Sequence, residues 1–264
     1  MRDFTLVTYK ALLQALQGAG YSFVTMRELC KRGNEKRLCC MRHDVDLKAD
    51  HSLATAKIEH SLGIKAVYYF RVIPESNNPD IIREIVSMGH EIGYHYEDMS
   101  LFDGDREKAY GHFCKQLEYF RTYYPVSTIC MHGAPTSRYD GRDLWKQYDY
   151  KSLGIECEPY LDLDYSHLLY LTDTGRRWDG YKVSLRDKIP VWQDKWIAEG
   201  LAFHTTPDII NALGDSNSPL AHHSGNILIT THPQRWTGNK AEWWREMLVQ
   251  NIKNIVKAVI IRYS

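Results

Sequence analysis

The chain has 264 residues and a formal net charge of zero, from 33 basic and 33 acidic side chains. That length suffices for one α/β core of barrel size. The charge balance leaves no basic excess for nucleic acid and no polybasic run for an anionic membrane.

The first seven residues lack the apolar core and small-residue cleavage site of a signal peptide, and no apolar run approaches the roughly 20 residues that cross a bilayer. Six cysteines, Cys30, Cys39, Cys40, Cys114, Cys130 and Cys157, are scattered without a C-x-x-C pair. Reduced thiols in a cytoplasmic protein without disulfides are the expectation.

In chain order, Tyr9 to Leu16 has helical apolar spacing and ends near Gly18 and Gly20. Tyr21 to Thr25 reads as a short strand and Met26 to Lys31 as a helical turn. Leu38 to Asp44 is an apolar run of the kind buried in a parallel sheet. Asp50 to Leu62 is a helix stopped by Gly63. Lys65 to Val72 is rich in β-formers. Asn78 and Pro79 start a helix whose apolar face is Ile81, Ile82, Ile85 and Val86, with Gly89 as its stop. His90 to His95 is a strand, Asp105 to Tyr123 a long helix, and Val126 to Met131 a strand. Pro135 to Pro190 is irregular, with short strands and long loops. Pro207 to Leu213 is a helix and Asn226 to His232 a strand. The closing helix, over 240–262, should pack through Met247, Leu248, Ile252, Ile255, Val256 and Val259. The alternation predicts a parallel α/β sheet in a single domain over residues 1–264.

Chemistry in such folds sits at the C-terminal ends of the strands. His43, Asp44 and Asp46 end one strand, and Asp44 and Asp46, two apart, share a side. His95, Tyr96, Glu97 and Asp98 end another, His132 ends the next, and Thr231, His232 and the following Pro233 to Trp236 end the last. Paired carboxylates repel unless a cation joins them, and Asp with His suits Zn²⁺ or a similar divalent metal.

Gly89-His-Glu-Ile-Gly-Tyr-His95 resembles the second motif of the polysaccharide deacetylases of carbohydrate esterase family four. His43 to Asp46 sits where that family has its Asp-Asp motif, and Ile229 to His232 is similar to its Leu-x-His motif. The core motifs span 37–236. The resemblance implies an irregular (β/α)7 barrel and metal-assisted hydrolysis of an N- or O-acetyl group. It implies Asp44 as general base, Asp46 as metal carboxylate, His95 as metal ligand and His232 as general acid.

The family's second ligand His falls on Met99 here, Thr230 stands in place of a Leu, and Val45 separates the two Asp residues. His132 is the preferred replacement ligand, as it ends the adjacent strand; Glu97 is its competitor, with Asp98 and His43 behind. The stretch His132 to Pro135, with Arg138 nearby, stands for the family's Arg-x-Pro motif. Thr172 to Asp179 is similar to the motif that pairs an Asp with a Trp. Trp178 and Trp236 are candidates for a sugar-stacking wall, and Arg177 and Arg235 for an anionic substrate group.

The expected activity is metal-dependent deacetylation of a small carbohydrate or glycan precursor. The alternatives are an amidohydrolase or deacylase on a non-sugar substrate, or a catalytically silent carbohydrate-binding barrel.

Overall fold

The computed structural model describes residues 2–134, 137–182, 184 and 186–263. Elements run α1 (Leu6–Gly18), β1 (Ser22–Phe23), α2 (Met26–Arg32), β2 (Leu38–Val45), α3 (Ala49–Ser61), β3 (Val67–Phe70), α4 (Pro79–Ser87), β4 (Glu91–Tyr96), α5 (Asp98–Leu101), α6 (Arg106–Arg121) and β5 (Ile129–Met131). Then come α7 (Pro159–Asp162), β6 (Leu168–Thr172), α8 (Pro190–Ala198), α9 (Thr206–Gly214), α10 (Pro219–His222), β7 (Asn226–Thr231) and α11 (Lys240–Tyr263).

Local signals explain the boundaries. Asn78 accepts from the backbone N–H groups of Asp80 and Ile81, with Pro79 as the first residue of α4. Gly89, after the helix, takes φ +86, a conformation that side chains with a Cβ resist. β2, β3, β4 and β7 are buried along their whole length, as continuous apolar runs in a doubly covered parallel sheet must be.

All pairings are parallel, in the order β5-β4-β3-β2-β7-β6, with β1 paired to β2 off this path. This is the cyclic order of a (β/α) barrel with one seam left open, between β5 and β6. The sheet is a curled, partial barrel: among the described residues no ladder joins those two strands. Single bridges, Thr128 to Cys157 and Thr172 to Asp179, extend the two edges instead. β6 lies inside the stretch that read as irregular.

Two expectations are overturned. Cys30 and Cys157 form a disulfide, with Cα atoms 6.6 Å apart across 127 residues of sequence. Only the parallel fold, which sets α2 beside the β5 edge, brings them together. The other four cysteines are free thiols. Three of the residues expected to pack from the closing helix, Leu248, Ile252 and Ile255, are exposed, while Gln250 is buried; Met247 is half-buried, and the side chains of Val256 and Val259 lie outside the described residues. No described helix is long and apolar enough to cross a membrane.

Candidate metal centre

Register decides what meets what. Thr231 pairs with His43, so His232 falls level with Asp44. Val45 pairs with Phe70, setting Asp46 level with Arg71. Tyr96 pairs with Met131, setting Glu97 level with His132. Each of these residues ends a parallel strand, on one rim of the sheet.

Along β2 the side chains alternate. On the rim side, Arg42 holds Asp44 through two bonds, Nε to Oδ1 at 2.8 Å and Nη2 to Oδ2 at 2.7 Å. On the other side His43 leaves the rim altogether. Its Nε2 lies 2.7 Å from Glu59 Oε1 and its Nδ1 2.7 Å from Thr231 Oγ1. Glu59 also accepts from the Tyr9 and Tyr68 hydroxyls, in a polar cluster closed off under α1 and α3. His43 is therefore removed as a candidate ligand. Asp98 is removed as well, since it pairs with His112 at 2.6 Å and accepts from Tyr94 at 2.9 Å. Met99 is buried in the core.

Asp46 is the centre of what remains. Its Oδ1 is buried without a hydrogen-bond partner. His95 Nε2 stands 3.6 Å from that oxygen and His132 Nε2 3.5 Å. His232 Nε2 stands 3.8 Å from Oδ2. Each imidazole is oriented through its other nitrogen. His95 Nδ1 donates to the Cys130 carbonyl at 2.9 Å, His132 Nδ1 faces Glu97 Oε2 at 2.8 Å, and His232 Nδ1 faces Asp173 Oδ1 at 2.6 Å. A carbonyl or carboxylate can only accept, so the proton is assigned to Nδ1 in His95 and His132; at His232 the Nδ1 also has the Arg235 Nη1 donor at 2.8 Å. Metal-binding histidines are held in this way.

Electrostatics sorts the three rings. Burial pushes His95 down to about 4, against the pull of Asp44. His95 is thus neutral, with a lone pair on Nε2 aimed at the bare Asp46 oxygen. Burial and Arg235 work to lower His232, yet Asp173 and Asp46 outweigh them and raise it. Burial opposes ionisation of Asp46 too, but His132, His232, His95 and Arg71 hold its carboxyl well below the usual range. His95 Nε2 therefore faces the carboxylate oxygen as an acceptor, with no donor between them. The two distances to Asp46 Oδ1, 3.6 and 3.5 Å, are each close to the roughly 3.4 Å between neighbouring ligands on a tetrahedral cation with bonds of about 2.1 Å. A carboxylate and imidazoles are a donor set that a divalent cation can use.

A tighter group exists nearby. Asp44, His95 and Cys130 offer ligand atoms within 4.8 Å of one another. Its chemistry is poorer. Both Asp44 oxygens are held by Arg42, and burial pushes the Cys130 thiol well up, so the thiolate that a metal needs is disfavoured. Asp46, His95 and His132 form a second, looser group around the bare carboxylate oxygen, and Asp44 stands 3.7 Å from His95. Glu97 is occupied twice, by Arg71 at 2.6 to 2.8 Å and by His132, which makes it an orienting group.

The rim lines a cavity of about 560 Å³ that takes in Arg42, Asp44, Asp46, His95, His132 and His232. The expected substrate-contacting residues fare differently. Arg235 lines this cavity, though its guanidinium is bound to Asp173 at 2.5 Å. Trp236 is fully buried and donates to Asp173, and Trp178 is buried and donates to Thr206. Neither indole offers a face to a sugar, which corrects the stacking-wall expectation. Arg177 pairs with Asp179 and does not line the cavity. Pro135 lies outside the described residues.

Sequence reasoning missed Arg42, Arg71 and Asp173. Arg42 had a signal, since it lies two and four residues before Asp44 and Asp46 on the same strand side. Asp173 lay inside the Thr172 to Asp179 cluster without a role of its own. Comparison of the chain with family models, curated proteins and solved structures finds no match.

Proposed function

We propose that this protein is a metal-dependent hydrolase that removes an acetyl group from an N- or O-acetylated sugar or glycan precursor. The observation that carries the reading is the orphaned Asp46 oxygen, faced by the Nε2 atoms of two imidazoles whose Nδ1 atoms are already committed. When bound there, a divalent cation, Zn²⁺ by its donor set, would polarise the carbonyl and acidify water.

The chain's own residues supply the rest. Asp46, His95 and His132 would hold the cation, with the Cys130 carbonyl and Glu97 fixing the rings. Asp44, anchored by Arg42, would take a proton from the attacking water. His232 is kept protonated by Asp173 and gives its Nε2 proton to the leaving group. The acetyl-sugar class rests on the order and spacing of the family-like motifs, since the two tryptophans that suggested stacking are buried.

The test has two parts. Metal content is measured on protein purified with and without added Zn²⁺. Acetate release is followed on a panel of acetylated sugars and amides, before and after chelation. About one metal per chain and chelator-sensitive acetate release support the reading. Metal-replete protein that binds no divalent ion overturns it. Metal binding with turnover of non-sugar amides alone would move the substrate class to an amidohydrolase.

A further inference from the structure

Helix α11 packs with its faces reversed. Trp244, Leu248, Ile252 and Ile255 are 51, 58, 64 and 66% exposed, with Val249 at 39%. Their spacing of four, four and three residues puts the first four on one stripe. The inward face is held by polar contacts instead. Trp243 Nε1 donates to the Asp3 carbonyl at 2.7 Å, and Asn254 Nδ2 to the Gly175 carbonyl at 2.7 Å. Gln250, buried, donates to Asn254 at 3.0 Å. Scattered exposed aliphatics need no explanation, but a continuous stripe over three turns marks an interaction surface.

The charge on this segment indicates the partner. Residues 240–264 carry Lys240, Arg245, Lys253, Lys257 and Arg262 against Glu242 and Glu246, in a chain of zero net charge. From Met247 onward there is no acidic residue. A second copy of the helix would bring the same positive excess against itself. An anionic bilayer surface complements it. A basic amphipathic helix with a Trp in its apolar stripe is suited to lie in the headgroup layer.

The stripe also runs into the mouth of the metal cavity. Ile252 and Lys253 line that cavity, as do Leu47 and Lys48 just after β2, and Leu47 is itself 39% exposed. Two separate elements thus present an apolar side chain followed by a lysine at one rim.

We infer that the outer face of α11 docks the protein onto an anionic membrane surface, with the mouth of the cavity beside the lipid headgroups. The helix lies on the bilayer and does not cross it. Under the hydrolase reading above, the substrate is then a glycan carried on a lipid anchor; the docking itself does not depend on that reading.

The experiment uses the full chain with phosphatidylcholine vesicles, made with and without phosphatidylglycerol, in a flotation assay. Wild-type protein should float with the anionic vesicles, stay behind with the neutral ones, and release as salt is raised. The Leu248→Ser/Ile255→Ser variant should bind at least about tenfold more weakly, because the apolar part of the attachment is gone. Both side chains are largely exposed, so circular dichroism and metal content should match wild type. Three results overturn the inference. One is no binding to anionic vesicles at low salt. Another is equal binding by the variant. The third is a wild-type dimer that the variant converts to monomer, which would give the stripe to a second copy. Metal content is read separately, so loss of docking with the metal retained leaves the proposed function standing.

Discussion

At the scale of single residues, Asp46 is the position where the site's chemistry concentrates. An Asn there keeps the shape and one oxygen but loses the charge that a dication needs, so Asp46→Asn should lower bound Zn²⁺ to less than about a tenth of wild type. His132→Ala should do the same, whereas Glu97→Gln, which removes only the ring's orienting partner, should weaken affinity about 10- to 100-fold. Full occupancy in His132→Ala with loss in Glu97→Gln would reverse these two roles. His232 gives a pH test. Asp173 raises its pKa, and a general acid works only while protonated, so activity should fall as pH rises through that value. Asp173→Asn should move this alkaline limb to lower pH and reduce kcat by roughly 10²- to 10⁴-fold. An unmoved limb would detach His232 from proton transfer. Much of this set was legible, because strand ends in a parallel sheet announce themselves as polar residues after apolar runs. What was not legible is commitment. Nothing local in Trp236 or Arg177 shows that an indole is buried against Asp173, or that a guanidinium is spent on Asp179.

At the scale of elements, the closed cluster between the sheet and the helices α1 and α3 sets the sharpest expectation. Glu59 is fully buried and accepts from Tyr9 at 2.5 Å and Tyr68 at 2.6 Å, with His43 at 2.7 Å. Glu59→Leu would strand all three partners and should cost about 3 to 5 kcal/mol in urea unfolding. A loss below about 1 kcal/mol would mean that the partners find other bonds. Glu59 is invisible as such in the sequence: it sits in an ordinary amphipathic helix, and its partners come from α1, β2 and β3. Gly93 is a similar case. It belongs to the family-like motif, yet its structural reason is that a Cβ would come within 2.3 Å of the Tyr69 ring and 2.7 Å of the Thr128 carbonyl. The strands β2, β3, β4, β5 and β7 and the helices α3, α4, α6 and α9 followed from periodicity and their Gly and Pro punctuation. β6 did not, because its five residues stand between long polar loops. The face of α11 was misread for a different reason. Periodicity reports that a helix has an apolar side, and only the tertiary contacts say which way that side points.

At the scale of the whole molecule, the open seam between β5 and β6 is closed by two neighbouring residues in place of a ladder. Arg186 donates to the carbonyls of Gly133, Ala134 and Ser137 at 2.7 to 2.9 Å, on the β5 side. Asp187 accepts from Tyr160 at 3.0 Å and from Thr172 at 2.6 Å, and also from the Tyr170 and Thr174 hydroxyls, tying α7 and β6 to the same loop. Arg186, Asp187 and Tyr160 all line the rim cavity, so this stitch shapes one of its walls. Burial opposes ionisation of Asp187, but His232, Arg42 and the threonine hydroxyls prevail and hold it at about 2, below its ordinary 3.8. A depressed carboxylate contributes stability that is complete above its unfolded value and is lost as pH falls through the folded one. The Asp187 contribution should therefore be whole above about pH 4 and vanish toward pH 2. Asp187→Asn cannot carry the charge at any pH. It should be less stable than wild type at pH 7, by about 1 to 3 kcal/mol, and the gap should close steadily below pH 4. Urea unfolding of both proteins across that range measures it. A difference that stays constant with pH would show that the seam is held by the shape of Asp187 alone, and that its charge has no part in keeping the curled sheet together.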